Sequence, residues 1–257
     1  MPDTLFAYID STKQLLCFQK VFHPTILSMA SFTKPKHLLL LDPVAEAGEY
    51  EPHTGLKIVN GPEQVQQFFT TKTFTHSKGT KWIDFNDLAM LKELTPLEIS
   101  ELLYFGHMRT HLHSPFFYKL QNNFVYFNLG NETMRVYYRY LDEFYRILAS
   151  KLTRIVLEKV NDRRSFFRKG SSVAPLDGEL LKELYPILQE GAIFCLDLSE
   201  LKNKIYHIPI FLSDEKGWRR SPKNYKKEQQ IAEITYDTAK QVWALEVEND
   251  DPVFSFR

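Results

Sequence analysis

Residues Thr133–Val160 read TMRVYYRYLDEFYRILASKLTRIVLEKV, and the organisation of the whole chain turns on this run. Met134, Tyr137, Tyr138, Leu141, Tyr145, Leu148, Leu152 and Ile155 recur at three- and four-residue spacing, which is the period of one helix face. The opposite face holds Arg135, Arg139, Asp142, Glu143, Arg146 and Ser150. The spacing predicts a single amphipathic helix over about 133–160, about 40 Å long at ~1.5 Å per residue. Tyr137, Leu141, Leu148 and Leu152 are its expected core residues.

Working outward, strands are expected on both sides of this helix. Leu5–Phe18 reads as two short strands around Asp10-Ser11-Thr12-Lys13, where Asp and Ser side chains can bond their own backbone. His37–Leu41 and Gly55–Val59 are further strand candidates, each closed by a proline-containing turn. Pro62 opens a short helix through Phe69. Thr70–Lys81 is polar and reads as a loop. Asn86 is a candidate cap for a helix carrying Leu88, Leu91 and Leu94. Thr95-Pro96-Leu97-Glu98 is a capping box with proline at the first helical position. Leu97, Leu102 and Phe105 form that helix's expected inward face. Phe116–Leu120 and Phe124–Leu129 flank Asn122-Asn123 as a predicted hairpin.

After the long helix, Glu179–Gln189 is helical with Pro186 expected to kink or end it. Ala192–Leu198 is nearly all apolar and is predicted to be a central strand, with Ile205–Leu212 another. Ile231–Val247 reads as a hairpin around Asp237-Thr238-Ala239-Lys240-Gln241, turn chemistry similar to that at Asp10. Strands, then helices, then strands, without regular βαβ alternation, give an α+β class. Mixed or mostly antiparallel sheet from both chain ends packs on a central helical section. A single domain is expected, with a possible subdivision into 1–81 (mainly β), 82–170 (mainly α) and 171–257 (α+β).

Apolar residues are 44% and charged residues 25% of the 257-residue chain, so a packed core is expected rather than disorder. Net charge is zero, which gives no global pull toward a polyanion or a membrane. The layout is uneven. Arg135–Lys169 carries ten Lys/Arg against four Asp/Glu, and Lys216–Lys227 carries six basic residues and no acid. Cys17 and Cys195 each lie in an apolar run and read as core side chains in a reducing compartment. The chain opens Met1-Pro2-Asp3 without a basic and then apolar leader, and its longest aliphatic run is Leu38–Leu41. A cytoplasmic protein without membrane contact is the expectation.

Two groups of residues carry candidate chemistry. Arg163, Arg164, Arg168 and Lys169 surround Phe166-Phe167, and Arg219, Arg220 and Lys223 lie near Trp218 and Tyr225. Basic residues interleaved with aromatics suit phosphate contact plus stacking, so an anionic ligand or nucleic acid is the partner they point to. His107, His111 and His113 form the one histidine cluster. His107 and His111 would share a helix face at metal-ligand spacing, but no arrangement places all three together. No GxGxxG, GxxxxGK[ST], GxSxG or CxxC pattern occurs. The leading expectation is a binding or interaction protein that contacts an anionic partner through its basic segments, with no cofactor. A metal-dependent hydrolase built on the histidines is the alternative. Oligomeric state is left open by the sequence.

Overall fold

The computed structural model describes residues 4–11, 15–19, 35–41, 48–70, 81–107, 119–130, 133–162, 172–213 and 229–247. Its strands are β1 (Thr4–Asp10), β2 (Leu15–Gln19), β3 (His37–Leu40), β4 (Glu49–Tyr50), β5 (Lys57–Asn60), β6 (Lys81–Phe85), β7 (Phe124–Gly130), β8 (Thr133–Tyr138), β9 (Ala192–Cys195), β10 (Glu200–Lys202), β11 (Ile205–Leu212), β12 (Gln230–Asp237) and β13 (Val242–Val247). All the strand pairings described below are antiparallel, and with the helices they make the α+β class expected from the element order. The chain folds as two compact units, Asp10–Glu143 and Met1–Ile9 with Phe144–Arg257.

The long helix is shorter than its periodicity predicts. It runs from Leu141 to Asp162, and Thr133–Tyr138 is the strand β8. Pairing decides this. β8 is flanked on both sides, with Leu15 opposite Tyr137 on β2 and Phe124 opposite Tyr138 on β7. Thr, Val and Tyr fit a pleated surface well. Tyr137 and Tyr138 are both buried, on opposite faces, as a strand interior to a sheet requires. Their match to the helical period of the residues that follow is a coincidence of spacing. Beyond Leu141 the helical reading holds: Leu148 and Leu152 are fully buried, and Leu141 is half-buried.

The Asp10–Glu143 unit carries a sheet in the order β2-β8-β7-β6-β3-β5-β4. One face holds Leu39, Ile83, Phe85, Val125, Phe127 and Tyr137 and is covered by Leu91, Leu94 and Leu102. Leu102 comes from the capping-box helix, Pro96–His107, which starts where the sequence places it. Thr95 donates its backbone N–H (2.7 Å) and its hydroxyl (2.8 Å) to Glu98 Oε2, and accepts the Glu98 N–H at 3.3 Å. Leu97, expected inward on this helix, is exposed instead. The preceding short helix, Ala89–Lys92, has Leu88 rather than Asn86 at its N-cap and no side-chain cap there, and the Ala89 N–H donates to Asp87 Oδ1 at 2.9 Å. β7 pairs with β6 and β8; of its expected hairpin partner Phe116–Leu120, only Lys119 and Leu120 are among the described residues, and neither is in a strand.

The other face of this sheet is aromatic. Register aligns Trp82 with Tyr126, and Phe124 with Tyr138, on one side. Trp82 packs edge-on against Phe124 (5.2 Å) and stacks on Tyr126 (5.0 Å). Phe69, from the Pro62–Thr70 helix, meets Trp82 at 5.4 Å. That helix begins at proline, as predicted.

The second unit orders its strands β13-β12-β11-β9-β1, with β10 on β11. β9 lies between β1 and β11 and is buried throughout, in agreement with its apolar sequence. Burial raises the Cys195 thiol there to about 11. Pro186 marks the change from a 3₁₀ turn, Leu180–Leu184, to a short α-helix, Tyr185–Glu190. Proline sits where its missing N–H is no loss. β12 and β13 form the predicted hairpin. Asp237 Oδ1 accepts the N–H groups of Ala239 (2.8 Å) and Lys240 (3.0 Å) in its turn. Trp243 is half-buried rather than buried, and its Nε1 donates to Ala174 O at 2.7 Å. Ala174 N in turn donates to Tyr236 Oη, and Leu176 N to Thr153 Oγ1, which fastens this connector to both the sheet and the long helix. The side chain of Cys17, on β2, lies outside the described residues.

Candidate functional site

The chemistry-bearing region of the Asp10–Glu143 unit grows from one buried acid. β6 reads KWIDF and is buried at every position, Asp84 included. A carboxylate inside a sheet needs hydrogen-bond donors. Two backbone groups supply them. Phe124 N–H donates to Asp84 Oδ1 at 2.8 Å, and Asn123 N–H lies 3.1 and 3.0 Å from the two carboxylate oxygens. Asp84 thereby pins the start of β7.

The turn that leads into β7 is tight. Gln121 adopts φ +48°, and its carbonyl accepts Asn86 Nδ2 at 2.7 Å. Asn123 O accepts the backbone N–H of Arg139 at 2.7 Å, which fixes the end of β8 against the same turn. Asn122 is fully buried and donates Nδ2 to Phe124 O at 3.3 Å. Three chain segments therefore converge on Asp84: the end of β6, the Gln121–Asn123 turn, and Arg139-Tyr140 after β8.

The electrostatics of the buried pair are unusual. Burial pushes the Asp84 carboxyl up to about 7, its backbone hydrogen bonds pull it down, and the charge of Glu143 adds to the rise. Glu143 is itself buried, in the first turn of the long helix, where the helix dipole favours an acid. Tyr126 and Tyr138, on the same face as Asp84, are held far above the usual phenol range by burial. Asp84 is 4% exposed, so it meets no ligand directly. Its role is to hold a turn.

Above that turn lies an open cleft of about 750 Å³, lined by Asn86, Glu93, Lys119, Gln121, Asn123, Arg139 and Tyr140. That volume falls within the range of small-molecule sites. Its lining supplies two cations, one acid and three carboxamides. Lys119 Nζ donates to both oxygens of Glu98, at 2.8 and 3.1 Å. That bond, with the Thr95 N–H, holds the Glu98 carboxyl down to about 2. The Arg139 guanidinium lies over the Tyr140 ring, 5.3 Å from its centroid, and Tyr140 is 53% exposed. The cleft can offer charge-assisted hydrogen bonds to an anion, amide donors and acceptors to a polar group, and an aromatic surface.

Most of the residues that the sequence singled out fall outside the described set. Arg163, Arg164, Arg168, Lys169, Arg219, Arg220 and Lys223 are outside the described residues, as are His111 and His113. The backbone of His107 ends the capping-box helix, and its side chain is outside the described set. Among the described residues no three His, Cys, Asp or Glu side chains stand together as a metal site. No described helix is long and apolar enough to cross a membrane. Of the cleft residues, sequence reading placed Arg139 on the polar face of the long helix, Asn86 at a helix cap and Asn123 in a turn, and passed over Lys119; it also passed over Asp84. The signal for Asp84 is an acid between Ile83 and Phe85 in an otherwise apolar pentad. The chain matches no known protein family, no curated protein and no solved structure.

Proposed function

We propose that this is a cytoplasmic binding protein whose ligand carries an anionic group, and that the cleft beside Arg139 and Lys119 receives it. One observation carries the reading: two cations and three carboxamides line a single open cleft of ligand size. Arg139 is the principal anion contact, because a guanidinium presents paired donors to a phosphate or carboxylate. Lys119, paired with Glu98, adds a second positive charge to the lining. The basic segments around Arg163–Lys169 and Lys216–Lys227 carry the same preference in their composition. The cytoplasmic setting rests on Cys195, a free and buried thiol.

Calorimetric titration with pyrophosphate tests this. The wild-type protein should bind it, more weakly as salt is raised. Arg139→Ala should lower the affinity about tenfold, the loss expected for one charge-assisted hydrogen-bonding group. Equal affinity in wild type and Arg139→Ala would refute the assignment.

A further inference from the structure

β13 is the outermost strand of its unit. It pairs with β12 from Val242 to Val247, opposite Asp237 to Ala232, with no shift of register. Its burial alternates: Val242, Ala244 and Glu246 are exposed, and Trp243, Leu245 and Val247 are half-buried. Among the described residues no strand lies on its other side. Such an edge carries a row of backbone N–H and C=O groups, which is a template for a further strand. Proteins commonly close an edge with Pro, Lys or a bulge. Val242–Val247 reads VWALEV and has none of the three.

The charges near this edge narrow what it accepts. Glu246 stands directly opposite Glu233 on β12. Like charges at opposite cross-strand positions repel. Glu233 is met from its other side by His207 of β11, whose Nδ1 lies 2.8 Å from Glu233 Oε2. Glu246 is exposed, and β13 holds no base beside it. The same sheet face carries Glu200, opposite His207 on β10, with Lys202 two residues further along that strand. Lys240, in the hairpin turn, is bridged to Asp237. The edge therefore presents an acid at Glu246 on one face. On the other it presents the half-buried apolar row of Trp243, Leu245 and Val247.

We propose that the open edge of β13 takes up an extended segment of a partner protein as an added strand, with apolar side chains at alternate positions and a Lys or Arg beside Glu246. Main-chain hydrogen bonds supply the affinity, and the alternating side chains supply the selectivity. The apolar positions extend the row of Trp243, Leu245 and Val247, and the base relieves the repulsion between Glu246 and Glu233. A second copy of this chain is the poorer occupant. Two β13 strands edge to edge bring no base to Glu246, so the acid discourages that pairing. The proposal is independent of the cleft, which none of these residues lines.

The test is a nuclear magnetic resonance titration of the full chain at low salt with three capped hexapeptides, alternating Lys-Val, Lys-Pro and Glu-Val. The Lys-Val peptide should shift the backbone amides of Val242–Val247 saturably. The Lys-Pro peptide keeps the charge but lacks every second N–H, and should bind about tenfold more weakly or worse. The Glu-Val peptide should not bind. Glu246→Gln should weaken the Lys-Val peptide about threefold, the size of an exposed ion pair. Equal binding of Lys-Val and Lys-Pro would show attraction without a strand and overturn the proposal. So would the absence of binding, or shifts that leave Val242–Val247 unmoved. A Glu-Val peptide bound as tightly as Lys-Val, or unchanged Lys-Val binding by Glu246→Gln, would overturn the role of Glu246. Shifts of the same amides with protein concentration alone would give the edge to a second copy and overturn the partner assignment.

Discussion

Asp84→Ala is expected to lower stability by about 2–4 kcal/mol at pH 5, the largest loss expected from any polar substitution near the cleft. At that pH the wild-type carboxyl is protonated in the fold, since burial and Glu143 hold it up at about 7. Its oxygens still accept the N–H groups of Asn123 and Phe124. Alanine leaves both donors without this acceptor, the Phe124 N–H in a buried position, and an orphaned buried N–H is costly. Asp84→Asn keeps a carbonyl oxygen for the same two donors, so its loss at pH 5 should be much smaller.

The two variants also separate through pH. The folded Asp84 value lies above the ordinary 3.8, so the fold holds this proton more tightly than the unfolded chain does. The stabilisation is fully present below about pH 4 and is lost as pH rises through about 7. Wild-type stability should therefore decline across that window by a component that Asp84→Asn lacks. Urea unfolding at pH 5, 6, 7 and 8 measures it. Parallel pH profiles for wild type and Asp84→Asn would show that Asp84 is ionised in the fold at all these values, and that it is not the neutral anchor described here.

Leu148→Ala is the second large effect, expected to cost about 2–5 kcal/mol. Leu148 is fully buried in the Phe144–Arg257 unit, on the helix face that also buries Phe144, Tyr145, Leu152 and Ile155. Truncation removes apolar contact and leaves a cavity, because packed surroundings relax only in part. Arg154→Ala, on the exposed face of the same helix, breaks a surface pair with Glu158 and should cost less than about 1 kcal/mol. Urea midpoints for the two variants, at an unchanged slope, give the comparison. A Leu148 variant no less stable than the Arg154 variant would contradict the packing of this helix.

What was legible in the sequence was local chemistry. Pro62, the Thr95–Glu98 capping box, the apolar run of β9 and the Asp237 turn each carry their own determinants within a few residues, and each stands where the sequence places it. Elements fixed by distant partners were not legible. Thr133–Tyr138 fits a helical period and a strand equally well, and β2 and β7, remote in sequence, decide between them. β6 has no alternation because both its faces are buried, and it carries Lys81 and Asp84, so it reads as neither a surface strand nor an apolar one. The cleft was illegible for the same reason. Asn86, Glu93, Lys119, Asn123 and Arg139 are ordinary polar residues in sequence, and only sheet pairing brings them together. The sequence reading instead favoured runs of like charge and histidine spacing, which are visible without a fold.

The central claim is that the Asp84-anchored turn presents an anion-binding cleft. The most direct measurement is a nuclear magnetic resonance titration that follows backbone amides as pyrophosphate is added at low salt. The account predicts saturable shifts centred on Asn86, Gln121, Asn123, Arg139 and Tyr140, the residues that line the cleft. Shifts confined to 163–169 and 216–227, with those cleft amides unmoved, would contradict it.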